Sequence, residues 1–381
     1  MVRFFNKIYN TLFAPDYMIS VIGAGPAGSY YSSLAAKNNE IHLFEEDKIV
    51  GRPVACTGIL TDSIKSILHN IPPELIVTNI NRFKIVAPNG KSIYIDLKKK
   101  DMVLDRAMFD QHLFNKAVDA GTKIHLDEKF LGYKNINKNE YILKTSKGDY
   151  KTDMIVGSDG PTSIVAKTAG IYGNRKFIQG FQVRAKYPDL EEGTTIIHMN
   201  LGEFSWIVPE DNKVARIGVI GVNDAKLRAD YAKLIKDAQI IEHQSGIIPL
   251  YNPKQKLRKD KENIFLIGDA ATQVKATTYG GIIYGLLAGT YLAEDKESYS
   301  KRFNSKLGKD LWISLKMRSL MNGMQEKQAD ELIAIFEKQT NSKILAEHDR
   351  DFPSKFIVKL LMKEAKLWKL GFDIFKNKLT K

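Results

Sequence analysis

The apolar positions of this chain change their period twice. Residues 18–22 (MISVI) form a short, almost unbroken apolar run, and after a glycine-rich turn residues 29–37 (SYYSSLAAK) place apolar and small residues at helical spacing. Residues 40–44 (EIHLF) then alternate and end at Glu45. The pattern predicts strand, tight turn, helix, strand. Residues 103–126 hold a second unit, with Phe109, Leu113, Phe114 and Ala117 on one helical face, Gly121 closing the helix and a strand after it. Residues 124–157 predict a three-stranded meander with Asn or Lys-Gly at its turns. From about 176 to 250 a period of two dominates, the mark of a separate antiparallel sheet. The strand-then-helix pattern returns at 263–293, and from 295 onward the chain reads as helical. The parts of the α/β unit therefore flank a β-rich stretch. The expected fold is α/β: a discontinuous Rossmann-like domain of residues 17–75, 101–175 and 255–300, a β-rich antiparallel substrate domain of 76–100 and 176–254, and a helical C-terminal region of 301–381.

With 381 residues, 44% hydrophobic and 27% charged, the chain can bury one large core or two moderate ones. Two long uncharged windows, 17–36 and 276–293, are interrupted by glycine turns, so they read as buried strand–turn–helix units rather than membrane spans. Residues 1–16 lack the apolar run and cleavage site of a signal peptide, which points to the cytoplasm. The single cysteine, Cys56, excludes an internal disulfide, a Cys-x-x-Cys redox pair and a cysteine-ligated iron–sulfur cluster. Seven scattered histidines offer no zinc spacing, and no metal is expected. The net charge of +13 leaves two readings open: solvated lysine-rich faces, or attraction to phosphate or lipid headgroups. No basic-aromatic module suggests nucleic acid. The tail, residues 354–381, interleaves Phe356, Ile357, Leu360, Leu361, Trp368 and Phe375 with eight lysines and reads as a basic amphipathic helix broken near Gly371. It is either docked on the body or a peripheral anchor on an anionic membrane, and residues 3–13 could act likewise from the other end.

Chemistry enters with Gly23-Ala24-Gly25-Pro26-Ala27-Gly28, a G-x-G-x-x-G turn between strand and helix, and with Glu45, 22 residues after Gly23. Gly23 allows the turn, Gly25 lets a pyrophosphate approach the backbone, and Gly28 packs helix against sheet. Glu45 is placed to accept from a ribose hydroxyl, with Glu46 as the neighbouring alternative acid. This identifies a dinucleotide site without separating NAD from FAD. A second strand ends in Gly268-Asp269-Ala270-Ala271, where an acid beside small residues suits the ribityl chain of FAD; the same Asp would also serve as a plain helix cap. Residues 154–161 hold a third strand ending in Asp-Gly.

The order GAGPAG, Glu45, DRAMFDQHLFNKAVDAG (105–121), VGSDGPTS (156–163) and FLIGDAA (265–271) is similar to the flavin monooxygenase superfamily of the hydroxybenzoate-hydroxylase fold. Within it, residues 50–59, 202–221 and 268–282 resemble the geranylgeranyl reductase family. The family's Tyr-x-Trp-x-Phe-Pro signature stands here as Phe204-Ser-Trp206-Ile-Val208-Pro209, and its proline before the final glycine pair is Ala276. The resemblance spans roughly residues 18–340. It implies FAD-dependent saturation of isoprenoid C=C bonds in geranylgeranyl chains of archaeal-type membrane lipids or their precursors. It further implies that Gly23, Gly25, Pro26, Ala27, Gly28, Glu45, Glu46, Cys56, Arg106, Asp269, Gly280, Gly281 and Ile282 hold FAD. For Arg106 the alternative is a solvated pair with Asp105 or Asp110. Substrate would lie against Phe204, Trp206 and Pro209, and Cys56, Trp206 and Tyr279 are the catalytic candidates.

An isolated alkene is not polarised for hydride attack, so the prenyl chain has to be pinned in a dry tunnel. Cys56, Phe181, Phe204, Trp206 and Ile207 are candidate walls, unless the aromatic stripe is plain core. Proton sources are Cys56, Tyr279 or water. No second G-x-G-x-x-G follows a strand, so electrons are expected from an external donor docking at the flavin: a reduced nicotinamide, ferredoxin or similar carrier. The alternative enzyme is an FAD-dependent monooxygenase of the same fold acting on a hydrophobic substrate, and a third reading is a flavin- or lipid-binding module without catalysis. Residues 50–60, 202–209 and 276–282 favour the reductase.

Overall fold

The computed structural model describes residues 18–379. Its first layer is a five-stranded parallel sheet in the order β16-β10-β1-β2-β6. These strands are β1 (Met18–Ile22), β2 (Glu40–Phe44), β6 (Lys123–His125), β10 (Met154–Gly157) and β16 (Ile264–Leu266). Every residue of β10 and β16 is buried, as expected of a parallel sheet covered on both faces. The helices α1 (Pro26–Ala35), α2 (Arg106–Asp119) and α5 (Ile282–Glu294) pack against one another beside it. On α2, Phe109, Leu113 and Ala117 are fully buried, as their spacing predicts, and Asp105 caps it by accepting from Met108 N at 2.9 Å.

The meander is shorter than the sequence suggests. It consists of β7 (Phe130–Asn137), β8 (Glu140–Thr145) and β9 (Asp149–Thr152), while residues 123–125 and 154–157 at its ends join the parallel sheet. The difference is chemical: β8 alternates buried and half-exposed residues, whereas Met154–Gly157 is apolar throughout and needs cover on both faces.

The second sheet has eight strands in the order β15-β11-β14-β13-β12-β4-β5-β3. They are β3 (Ile59–Leu60), β4 (Ile76–Val86), β5 (Ser92–Leu104), β11 (Phe177–Lys186), β12 (Thr194–His198), β13 (Phe204–Pro209), β14 (Val214–Gly221) and β15 (Gln239–Pro249). It is antiparallel except for the β12–β4 pair, which runs parallel where the two chain segments meet. One face is covered by α4 (Ala225–Leu234), whose Leu227 and Leu234 pack on Val183, Ile207, Ile217 and Val219. The other face looks toward the C-terminal helices α6 (Lys309–Met321), α7 (Glu326–Phe336), α8 (Gln339–Glu347), α9 (Ile357–Lys363) and α10 (Ala365–Leu379). Between α4 and β10 in chain order lies α3 (Ile164–Thr168).

The tail does break, but at Glu364 and not at Gly371. Glu364 is buried and accepts from Lys338 Nζ at 2.6 Å and Asn341 Nδ2 at 3.1 Å, which holds its backbone in an extended conformation between α9 and α10. Gly371 lies inside α10 with open space around its α-carbon. Residues 3–13, the other amphipathic stretch, lie outside the described residues. Among the described residues no helix is long and apolar enough to cross a membrane.

Candidate functional site

The glycines of the first turn do different work. Gly23 has φ +97°, and a β-carbon there would meet Ser158 O at 2.5 Å; one on Gly28 would lie 2.1 Å from Gly23 O. Both contacts let β1, β10 and α1 close on one another, and Ser158 Oγ donates to Ile22 O and Gly23 O at 2.8 Å. Gly25 is the opposite case: nothing lies within 4 Å of the position its β-carbon would take. It precedes α1 with Pro26 at the first helical turn and no side-chain cap, so the helix N-terminus faces open space suited to a phosphate. Ala27 closes the opposite side of the turn, touching the positions over Gly268 and Gly285.

Glu45 accepts from Ala24 N at 2.7 Å and Asp47 N at 3.0 Å, and burial pushes its carboxyl above the usual range. Glu46 does not join it. The side chain turns outward and pairs with Lys129 at 2.6 Å, because consecutive residues leaving a strand point to opposite sides. Asp269 stands at the end of β16 with its carboxylate reached by no donor among the described residues. Burial raises its pKa to about 6 despite the opposing charges of Arg106 and Arg175. Arg106 is not the solvated ion pair that was one of its two readings. It is largely buried, its side chain 13% exposed, and bonded through Nε and Nη2 to both carboxylate oxygens of Asp110, at 3.0 and 2.9 Å, beside Cys56. Gly281 begins α5, and a β-carbon on it would press on Asp269 Oδ1 at 3.0 Å. Contacts chain these residues together: Ala24, beside Gly25, bonds to Glu45, Ala27 touches Gly268, and Arg106 and Gly281 lie beside Asp269; the space between them is the candidate cofactor cleft. An open phosphate position at one end and an unsatisfied carboxylate at the other fit an extended dinucleotide.

A cavity of about 210 Å³ adjoins this cleft, lined by Cys56, Trp206, Tyr279 and the Gly280–Ile282 turn among others. The Trp206 indole lies flat across Gly218, where a β-carbon would sit 2.3 Å from its ring, and Nε1 donates to Gln182 Oε1 at 2.8 Å. Thr57 Oγ1 donates to the same oxygen at 2.6 Å. Phe204 stacks on Tyr279 with ring centres 6.1 Å apart and planes within 5°. Two expected wall residues and one expected substrate contact, Pro209, are elsewhere. Phe181 and Ile207 pack under α4, with Phe181 against Tyr231, and Pro209 is buried opposite Ala215 and lines neither cavity. Strand parity explains Ile207 and Pro209: Phe204 and Trp206 face the cavity, so odd-numbered residues of β13 face α4.

A second cavity, about 820 Å³, lies between the eight-stranded sheet and the C-terminal helices. Thr61, Phe83, Ile197, Phe204, Thr278 and Arg350 line both cavities, which therefore abut. The larger is walled by alternate residues of β4 and β5, such as Ile85, Ile93 and Ile95, facing Ile333, Leu360 and Leu370.

Several residues that shape the site carry no sequence motif. Arg318 of α6 donates to the carbonyls of Ala276, Thr277 and Glu203 and sits 4.9 Å over the Phe204 ring. It clamps the loop before Gly280 from outside the α/β domain. Tyr279 in that loop has φ +55°, a strained setting for a bulky residue, and its hydroxyl donates to Glu203. Arg175 donates to Ala270 O at 2.6 Å and Pro161 O at 2.9 Å and so fixes the turn bearing Asp269. Finally, the loop between α8 and α9 plugs into the domain by charge. Lys275, 2% exposed, pairs with Asp351, which also accepts from Thr61 Oγ1 at 2.6 Å, while Arg350 pairs with Asp101 and Ser63 donates to Asp349. Among the described residues no group of His, Cys, Asp and Glu could hold a metal ion.

No protein-family model matches the chain. It is similar to the digeranylgeranylglycerophospholipid reductase of Methanocaldococcus jannaschii, at 26% identity over 94% of this chain and 98% of that protein. It is 28% identical to the digeranylgeranylglycerophospholipid reductase of Methanococcus vannielii, over 82% of this chain and 86% of that one. A crystal structure of a geranylgeranyl bacteriochlorophyll reductase-like protein from Thermoplasma acidophilum matches with a TM-score of 0.79 at 20% identity, covering 93% of this chain and 99% of that chain. The resemblance read from residues 18–340 therefore extends through nearly the whole chain, and the fold is the one these proteins share.

Proposed function

We propose that this relative of the geranylgeranyl reductases is an FAD-dependent reductase that saturates C=C bonds in geranylgeranyl chains of archaeal-type membrane lipids or their precursors. The observation that carries the reading is the 820 Å³ apolar cavity abutting, across Phe204 and Thr278, the smaller one beside the dinucleotide cleft. Such a cavity suits a long hydrocarbon chain whose bonds are brought one at a time to a fixed redox centre.

FAD fits the cleft on two features: the open position over Gly25 for its pyrophosphate and the unsatisfied Asp269 carboxylate for a ribityl hydroxyl. Bound and reduced, it supplies hydride chemistry at the cavity wall. The remaining work falls to the chain. Trp206, held flat by Gln182, and Phe204, stacked on Tyr279, press the alkene into one orientation and exclude water. Reduction also needs a proton at the second alkene carbon. The Tyr279 hydroxyl proton is committed to Glu203, whereas no described acceptor takes the Cys56 thiol proton. Cys56 is therefore the proton carrier in this reading: its S–H bond breaks as the C–H bond forms, and the thiolate left behind lies beside the Arg106 guanidinium. A Cys56→Ser variant is expected to keep its FAD and lose about 100-fold in kcat, the lower end of the range for general-acid groups. Unchanged kcat in stopped-flow turnover would assign the proton to water.

FAD binding should depend on pH. A hydroxyl donated to Asp269 favours the ionised carboxylate, and the free group titrates at about 6. Affinity is then full above pH 7 and falls with acidity, by up to roughly tenfold per pH unit below 6. Fluorescence titration should show this slope and its loss in Asp269→Asn.

Electrons come from an external donor, a reduced nicotinamide or a protein carrier, docking at the flavin. The deciding experiment photoreduces the flavoprotein without oxygen and adds geranylgeranyl lipid. Flavin reoxidation with a saturated product supports the reductase; reoxidation only by oxygen, with a hydroxylated product, supports a monooxygenase instead.

A further inference from the structure

We infer that the outward apolar stripe of α10, with the lysines beside it, is a docking surface for an anionic lipid bilayer. The helix has two apolar stripes. Leu370 and Ile374 are buried against Ile335 and its neighbours from α6 and α7. Trp368, Phe372 and Phe375, spaced four and three residues apart, form a second stripe and are 63%, 67% and 56% exposed. On α9, Val358 and Met362 extend the exposed apolar surface. A helix docked on a protein body normally turns one apolar stripe inward and covers the rest with polar residues. Here three large aromatic side chains remain in water.

Charge selects the occupant. Lys359, Lys363, Lys366 and Lys369 are exposed on the same two helices. The acid between them, Glu364, is turned inward to Lys338 and Asn341, and Asp373 is half-buried. The outward surface is therefore apolar and basic, the composition that binds anionic headgroups while Trp and Phe enter the interface. A second copy of the chain would bring these lysines against its own, which opposes self-association.

Position gives the surface its use. Leu361, Leu367 and Leu370 of these helices also wall the 820 Å³ cavity, so a single helical layer separates the exposed stripe from the prenyl-sized space. A lipid leaving a bilayer under α10 would pass directly into it. That route rests on the reductase reading; the docking itself does not.

The test uses the full FAD-loaded chain and vesicles of saturated phosphatidylcholine with or without phosphatidylglycerol. These contain no prenyl lipid, so binding is read without turnover, and a failed reductase assay leaves it standing. Sedimentation should show binding to anionic vesicles, weakened at least tenfold by Trp368→Ser, Phe372→Ser and Phe375→Ser together. A Lys366→Glu, Lys369→Glu double variant should weaken it similarly, and both variants should keep their FAD and circular dichroism. Brominated lipid should quench tryptophan emission in the wild type and quench it far less in Trp368→Ser. Equal vesicle binding by wild type and both variants overturns the proposal. So does a wild-type dimer, indifferent to vesicles, that the triple variant splits, or capture of an acidic protein by the stripe with no vesicle binding.

Discussion

Alanine at Trp206 should lower kcat/KM by about 100-fold while the protein keeps its flavin, a loss of roughly 2.7 kcal/mol of transition-state stabilisation. The indole is the largest flat surface of the smaller cavity, and it is held on two sides, by Gly218 beneath the ring and Gln182 at its nitrogen. Removing it frees the substrate to rotate and admits water, and both effects act on the reacting geometry. It touches neither Gly25 nor Asp269, so cofactor content should not change. Trp206→Phe, which keeps a flat apolar surface, should recover much of the rate. Full turnover by the alanine variant in an anaerobic assay would remove Trp206 from the site.

Asp351→Ala should destabilise the fold by about 3–5 kcal/mol, the usual result of stranding one member of a buried ion pair. The stranded group is Lys275, at the start of the loop that ends in Gly280. Replacing both partners, with Lys275→Met and Asp351→Leu, should restore most of the loss, because two apolar side chains leave no unpaired charge. Urea midpoints of the three variants measure this. The wild type should also show an acid-sensitive component. Burial alone would raise the Asp351 carboxyl, but Lys275 and Arg350 outweigh it and hold the pKa below the usual range. A depressed carboxylate stabilises the fold fully above the unfolded value near 4 and loses that contribution as pH falls through the folded value. The single Asp351→Ala variant should therefore lose less stability than the wild type between pH 5 and 3.

What the sequence reveals about this site follows from which interactions have a local signature. Gly23 and Gly28 are legible because their backbones admit no β-carbon, and Asp269 because a strand end with small neighbours is a short-range pattern. Glu46 and Ile207 were placed in the site by adjacency and Pro209 by the family signature it matches, yet alternation along a strand turns each to the other side. Arg175, Arg318 and Gln182 left no trace. Each acts on a carbonyl or an indole contributed by a distant segment, and such an arginine looks in the sequence like any surface cation. The charged loop at 349–351 is hidden for the same reason: its partners Thr61, Asp101 and Lys275 are brought to it only by the fold. The fold itself was readable because buried parallel strands, alternating strands and helices differ in period, and the meander was overextended where a short run carried too few residues to show one.

The order of strands in the parallel sheet also dictates when the cofactor cleft can exist. Strands β1, β2, β6 and β10 emerge first, but β16, which carries Asp269 at its end, follows the entire β-rich insertion. During synthesis β10 waits as an open, fully apolar sheet edge until Ile264–Leu266 leaves the ribosome, and only then can a flavin bind and pull the equilibrium toward the folded chain. Supply of flavin at that moment, rather than after completion, would govern how much of this protein escapes aggregation.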